Sequence, residues 1–222
     1  MSLFGNSISE MQATAIHEAA HAVVSHALGV RFDYVVVNSA REGVMMPFYS
    51  PCPLCGHTVP EFQSCEPCFE HYGRHRPTHD PRSAAVERFY REEAAIAVAG
   101  ELAELNLSGG HILSTTEEIE WDRARVLTRA SLRHLWLAGT TCVNYCSAPV
   151  PCEYCDRASA ELSASVARWL SDQLWPGVLI TANLLEGGER RTGAEVGDAL
   201  AGANISFAHC SIDAIWPALT QP

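Results

Sequence analysis

The 222-residue sequence contains no lysine, so all fifteen of its formally positive side chains are arginine. This absence excludes Schiff-base chemistry on a lysine amine and a phosphate-binding loop of the G-x-x-x-x-G-K-[ST] type. Positive charge is scarce overall, because 26 acidic residues give a formal net charge of −11. That charge would repel a polyanion, so we do not expect nucleic acid as a partner.

The sequence also lacks the patterns of export and membrane insertion. Its N-terminal stretch, MSLFGNSISEMQ, has no cationic start followed by the apolar core of a signal peptide. The longest apolar runs, near residues 21–30 and 174–185, are too short or too interrupted to span a bilayer. We therefore expect a cytoplasmic protein with no membrane partner, in which cysteines favour metal binding over disulfides.

Length and composition fit one domain over residues 1–222, because 47% of the residues are hydrophobic and can form a core. The predicted class is mainly α (α+β), with a small β-hairpin and two cysteine-rich loops. The predicted helices cover residues 8–28, 84–105, 116–137, 158–174, 178–184 and 193–200. The predicted strands cover residues 34–37 and 44–48, and the cysteine-rich loops cover residues 50–82 and 141–156.

Several helix ends carry capping signals. Ser7 and Glu10 form an S-x-x-E capping box before the first helix, and Gly29 stands where a left-handed C-terminal cap is expected. Thr192 and Glu195 form the same box before the last helix. A break is expected at Trp175-Pro176-Gly177.

The sequence His17-Glu18-Ala19-Ala20-His21 is an H-E-x-x-H motif on the first predicted helix. Residues i and i+4 share a helix face, so both imidazoles can bind one zinc ion. Glu18 is rotated away from direct ligation, but it can reach a water on the metal and act as general base. The plainer alternative is a helix whose histidines only pack or face solvent.

A catalytic zinc ion needs a third protein ligand. The extended motif H-E-x-x-H-x-x-G-x-x-H fails here, because Val24 and Ala27 stand at the positions of its glycine and last histidine. The third ligand must therefore come from a distant part of the chain.

Eight of the nine cysteines form two sets with metal-ligand spacing. Each set can supply four thiolates to a structural zinc ion, so we expect one or two such ions. The alternative is that these cysteines are free or redox-active. The first set is Cys52, Cys55, Cys65 and Cys68, and the second is Cys142, Cys146, Cys152 and Cys155. His57, His71, His75 and His79 are alternative ligands near the first set, and Cys210 is expected to be a small buried residue.

Three segments, in order along the chain, resemble FtsH-type zinc peptidases. They are Ala15–Val24, similar to H-E-A-G-H-A; Ala97–Leu105, similar to L-A-G-R-A-A-E-E; and Leu113–Ala124, similar to S-T-G-A-S-N-D-L-E-R-A-T. Residues 184–186 and 192–196 are similar to the closing helices of that family. The resemblance implies a helical zincin-like peptidase domain whose two β segments are edge strands beside the active-site helix.

The resemblance also implies site residues. The family's third zinc ligand is the Asp of N-D-L-E-R-A-T, which aligns with Glu120, and Asp122 is the alternative ligand. Glu120 departs from the family pattern, and it could also be a solvated carboxylate at a helix start. Glu104 is expected to support the zinc ligands without binding the ion.

The function implied by the resemblance is a zinc-dependent endopeptidase acting on flexible or unfolded polypeptides. Because the sequence has no phosphate-loop lysine, we expect a stand-alone peptidase without the ATPase module, active independently of ATP or fed by a separate unfoldase. The alternatives are a catalytically inactive, zinc-scaffolded protein-binding or regulatory protein, and a zinc-ribbon nucleic-acid binder, which the net charge disfavours.

Overall fold

The computed structural model describes residues 9–40, 42–47, 49–51, 58–60, 81–110, 122, 153–205, 207 and 211–216. These residues are mostly helical and include a small three-stranded antiparallel sheet, which confirms the mainly α (α+β) class. The elements are α1 (Glu10–Leu28), β1 (Phe32–Ser39), β2 (Glu42–Pro47), β3 (Tyr49–Pro51), β4 (Thr58–Pro60), α2 (Pro81–Ser108), α3 (Glu153–Trp169), a π-helical turn (Leu170–Leu174), α4 (Trp175–Leu185), β5 (Arg191–Thr192), α5 (Gly193–Gly202) and α6 (Ile212–Ile215). Within this part of the chain, no helix combines the length and apolar character needed to cross a bilayer.

Helix α1 begins two residues later than its sequence signal indicates. Its N-cap is Ser9, whose Oγ accepts a hydrogen bond from the backbone N–H of Gln12 at 3.2 Å, while Gln12 Oε1 accepts one from the N–H of Ser9 at 3.1 Å. The predicted box of Ser7 and Glu10 is therefore wrong, because glutamine serves as well as glutamate at the third position of a capping box. At the other end Gly29 forms the predicted left-handed cap, with φ 73°.

Helix α1 lies at the centre of the fold. It contacts α2, α4, α5, β1 and β2, and fifteen of its nineteen residues are buried. Many of these residues are alanine, which has no side chain beyond Cβ and lets neighbouring helices approach closely. The two histidines of the H-E-x-x-H motif are therefore buried among packed elements.

The predicted hairpin is confirmed as β1 and β2, which pair antiparallel with Val35 opposite Met45. β1 is not an edge strand, however, because the two-residue strand β5 pairs with its other side, placing Arg191 opposite Val35. The sheet order is β2-β1-β5, so β2 is the edge strand beside α1. Two residues are too few for a periodic signal, which is why sequence patterning missed β5.

Both predicted cysteine-rich loops contain regular structure at their margins. Strands β3 and β4 pair antiparallel inside the first loop, and α2 already begins at Pro81, before the predicted loop end at 82. Helix α3 begins at Glu153, so the last residues of the second loop are helical. Glu153 and Asp156 stabilise this first turn, since acidic side chains favour the positive end of the helix dipole.

The predicted break around Pro176 is wrong, because the chain stays helical through it. The residues before the proline form a wider π-helical turn, in which the N–H of Trp175 donates to the carbonyl of Leu170. Pro176 then occupies the first turn of α4, where its missing N–H needs no intrahelical partner. The turn thus makes room for the ring without ending the helix.

The short helix α6 is held against α2 by a buried arginine. Arg91 is 3% exposed, and its Nη1 donates hydrogen bonds of 2.7 Å to Asp213 Oδ1 and to the carbonyl of Trp216. Arg91 also lowers the pKa of the Asp213 carboxyl by this hydrogen bond. Helix α6 has only four residues, too few to show a helical period, so the sequence pattern did not predict it.

Candidate metal centre

Two histidines of helix α1 and one distant aspartate form a buried cluster. His17 and His21 lie one turn apart, and their Nε2 atoms are each 3.3 Å from Oδ2 of Asp122. The two rings are 4.7 Å apart between centroids and nearly perpendicular, at 77°. All three residues are buried, and their ligand atoms lie within 4.8 Å of one another. This cluster could hold a metal ion.

The spacing of the cluster suits a small tetrahedral ion. Ligand atoms about 2.0 to 2.1 Å from a zinc ion are separated by ~3.3 Å along the edge of a tetrahedron. The two distances from Asp122 Oδ2 to the histidine Nε2 atoms are both 3.3 Å. Two imidazoles and one carboxylate are also a donor set typical of catalytic zinc, which keeps a fourth position open.

Each histidine is oriented by a hydrogen bond on its other ring nitrogen. His17 Nδ1 lies 2.7 Å from Oε1 of Glu104, and His21 Nδ1 lies 2.6 Å from the carbonyl oxygen of Ile96. Both acceptors require a proton on Nδ1, so Nε2, which faces Asp122, is the ring nitrogen that a metal ion would bind. Such partners fix the tautomer and ring orientation of metal-binding histidines.

Helix α2 supplies these contacts from positions four residues apart. Ile96 faces His21, whereas Gly100 and Glu104 face His17, so the two helices run antiparallel. A Cβ at Gly100 would lie 2.5 Å from Nε2 of His17, closer than real contacts allow. Gly100 is therefore the position that lets the imidazole lie directly against the backbone of α2.

Glu18 lies beside the cluster on the strand side of helix α1. It is 4% exposed, and its side chain lies against the backbone of Gly43 in β2. Its charge is close enough to contribute to the raised pKa of His17. The arrangement therefore places a carboxylate next to the histidine pair, as the H-E-x-x-H motif predicts.

The electrostatics of the cluster favour a cation at its centre. Burial lowers the pKa of His17, but hydrogen bonds with Asp122 and Glu104 outweigh burial and raise that pKa well above its ordinary 6.5. Burial raises the pKa of Asp122, yet His21 and His17 together lower it below its ordinary 3.8. Without metal, the carboxylates stabilise a proton on His17, and a divalent cation could take over that role.

The structure brings together four of the sequence-predicted ligands and supports. His17 and His21 are in place, Glu104 orients His17 as expected, and the alternative ligand Asp122 completes the cluster. Glu120 lies outside the described residues and stays a prediction. So do the zinc sites of the cysteine sets, because Cys52, Cys55, Cys65, Cys68, Cys142, Cys146 and Cys152 lie outside the described residues, as does Cys210. The backbone at Cys155 is helical, in the first turn of α3.

Two features of the site were missed by sequence reasoning. The carbonyl of Ile96 has no side-chain signature, and Gly43 is separated from Glu18 by a helix end and a strand. Only the alanines of α2 at positions 95, 99 and 103, next to Gly100, could have suggested a close approach to another helix. No family model and no curated protein matches the chain.

Proposed function

We propose that the chain is a zinc-dependent endopeptidase with a zincin-like site in which His17, His21 and Asp122 hold the ion. The observation that carries this proposal is the convergence of the H-E-x-x-H histidines with a buried aspartate, with Glu18 alongside. The resemblance of three ordered segments to FtsH-type peptidases supports the same function.

When bound, zinc would supply a Lewis acid that polarises a peptide carbonyl and lowers the pKa of a water ligand towards 7. Glu18 would accept a proton from the attacking water as its oxygen bonds to the carbonyl carbon. Glu18 would then give that proton to the leaving amine as the C–N bond breaks. The low exposure of Glu18, 4%, keeps its carboxylate away from bulk solvent during both transfers.

Strand β2 is the element best placed to hold a substrate. It lies at the edge of the sheet and runs past Glu18 at Gly43. An extended polypeptide could pair with this edge through main-chain hydrogen bonds, which are independent of side-chain identity. Because only an extended chain can add to a strand, we expect cleavage of flexible or unfolded polypeptides.

The two cysteine sets are assigned to structural zinc in this proposal. Four thiolates bind one zinc ion tetrahedrally and leave no open position for a substrate. The fully loaded protein should then contain one catalytic zinc and one or two structural zinc ions. Loss of a catalytic ligand should remove one equivalent and leave the rest in place.

The decisive experiment compares the wild type with Glu18→Gln and with Glu161→Gln, a matched change at an exposed position of α3. Zinc content and cleavage of a denatured, fluorescently labelled polypeptide are measured for all three. We expect equal zinc in all three, cleavage by the wild type and Glu161→Gln, and a loss of at least 100-fold in Glu18→Gln. If zinc-loaded wild type cuts no unfolded polypeptide, the peptidase proposal fails and the non-catalytic scaffold gains support.

The same zinc measurement tests the third ligand. Asp122→Ala should lose one equivalent of zinc, because Asp122 Oδ2 is 3.3 Å from both ligating nitrogens. Glu120→Ala tests the ligand that the family resemblance implies. A full zinc complement in Asp122→Ala, together with a lost equivalent in Glu120→Ala, would assign the third position to Glu120.

A further inference from the structure

Gly43 lies where a side chain of strand β2 would collide with the proposed general base. A Cβ built on Gly43 would overlap Cγ of Glu18 and lie 2.8 Å from both its Cδ and its Oε1. Contacts below about 3.0 Å are essentially never seen for real Cβ atoms. The Glu18 side chain therefore fills the space that any other residue at position 43 would need.

The backbone conformation at Gly43 gives no separate reason for glycine. Gly29, Gly109, Gly110 and Gly188 have positive φ angles, which L-residues adopt rarely, but Gly43 is not among them. Gly43 pairs regularly with Val37, next to a register shift in β1. Space for Glu18 is thus the feature of this position that requires glycine.

We propose that Gly43 is a positioning residue that fixes the rotamer of Glu18 between the edge strand and the histidine pair. This inference rests on the proposed peptidase function. The overlap involves Cγ, so turning the carboxylate alone could not relieve it. A side chain at position 43 would force a change at χ1 of Glu18, which moves the whole carboxylate away from its place beside His17.

The proposal predicts a specific kinetic signature for Gly43→Ala. Because misplacement of a catalytic group by about 1 Å can cost ~100-fold in rate, kcat should fall about 100-fold. Zinc content should stay at the wild-type level, since the hydrogen bonds of His17 and His21 come from α2 and not from β2. KM should also stay unchanged, because the proposed pairing of substrate with β2 uses main-chain hydrogen bonds only. Gly202→Ala is the matched control, because nothing lies within 4 Å of a Cβ at that position.

A second measurement tests the contact independently of activity. Thermal midpoints are compared for Gly43→Ala in the wild-type background and in Glu18→Ala, which has no Cγ. The midpoint should fall in the wild-type background and stay unchanged, or rise, in Glu18→Ala, because alanine is otherwise no worse than glycine in a strand. Equal shifts in both backgrounds would overturn the assigned contact.

The kinetic outcomes separate this inference from the proposed function. If the wild type cleaves substrate and Gly43→Ala cleaves it at the same kcat, the positioning role is refuted while the peptidase proposal stands. A loss of zinc in Gly43→Ala would also overturn it, since the residue would then act on the metal ligands. If zinc-loaded wild type cleaves nothing, the peptidase function fails, and the thermal comparison still decides whether Gly43 fixes Glu18.

Discussion

Replacement of Glu104 should weaken the proposed zinc binding, although Glu104 is not among the proposed ligands. Glu104 is fully buried, with 0% exposure, and its Oε1 accepts the hydrogen bond of His17 Nδ1 at 2.7 Å. A hydrogen bond to a charged group contributes about 1.5 to 3 kcal/mol, whereas a neutral one contributes about 1 kcal/mol. Glu104→Gln keeps an acceptor but removes the charge, so the expected loss is about 0.5 to 2 kcal/mol, or about 2- to 30-fold in zinc affinity.

Glu104→Leu should have a larger effect on the same property. It removes the acceptor and leaves the buried Nδ1–H of His17 unpaired, which adds about 1 to 3 kcal/mol. The total predicts a loss of roughly 100-fold, at the upper end of the range for residues that orient metal ligands. The order of affinities should be wild type, then Glu104→Gln, then Glu104→Leu.

Competition with a chromophoric zinc chelator measures these affinities, and Glu161→Gln serves as the exposed control. Circular dichroism of each metal-free variant checks that it is folded before zinc is added. The reasoning fails if Glu104→Gln binds zinc as tightly as the wild type. It also fails if the leucine and glutamine variants bind equally, because the hydrogen bond would then contribute nothing.

Two further predictions concern the same centre. Gly100→Ala should lose the zinc equivalent proposed for this centre, because its methyl would lie 2.5 Å from His17 Nε2, the proposed ligand atom. Metal analysis after gel filtration checks this, and retained zinc would contradict the close approach. In metal-free protein, the raised pKa of His17 stabilises the fold fully below its unfolded pKa of 6.5, and this contribution disappears as pH rises through the folded pKa. The lowered pKa of Asp122 stabilises the fold above its unfolded pKa of 3.8, and this contribution disappears as pH falls. The thermal midpoint of chelator-treated protein should therefore be highest between pH 3.8 and 6.5 and decline both below and above this range. A flatter profile is expected for Asp122→Asn.

The part of the site that sequence could predict is the part set by local geometry. The four-residue spacing of His17 and His21 places both on one helix face whatever the rest of the fold does. The hairpin and the capping box of Thr192 are likewise local, and the structure confirms both. The box at the start of α1 was misplaced because two overlapping patterns, at Ser7 and Ser9, satisfy the same local rule.

The rest of the site depends on contacts between distant residues. Glu104 is 87 residues from His17, and Ile96 is 75 residues from His21. Spacing within one helix cannot show which helix packs against it, or in which direction it runs. On the helix that the sequence predicts over residues 116–137, Glu120 and Asp122 would point about 200° apart, so the choice between them depends on how that helix is rotated relative to α1.

The close contact between α1 and α2 explains why the site needs so few residues. Antiparallel packing sets successive turns of α2 against successive turns of α1, so one face of α2 can serve both histidines. Gly100 removes the side chain that would separate the helices, and the ring of His17 takes that space. On the strand side, Gly43 likewise has no side chain, and the side chain of Glu18 takes that space. His17, His21 and Glu18 thus lie against the backbones of two neighbouring elements, which are less free to move than side chains. A site built in this way tolerates variation on its surface but little change in volume at the two glycines.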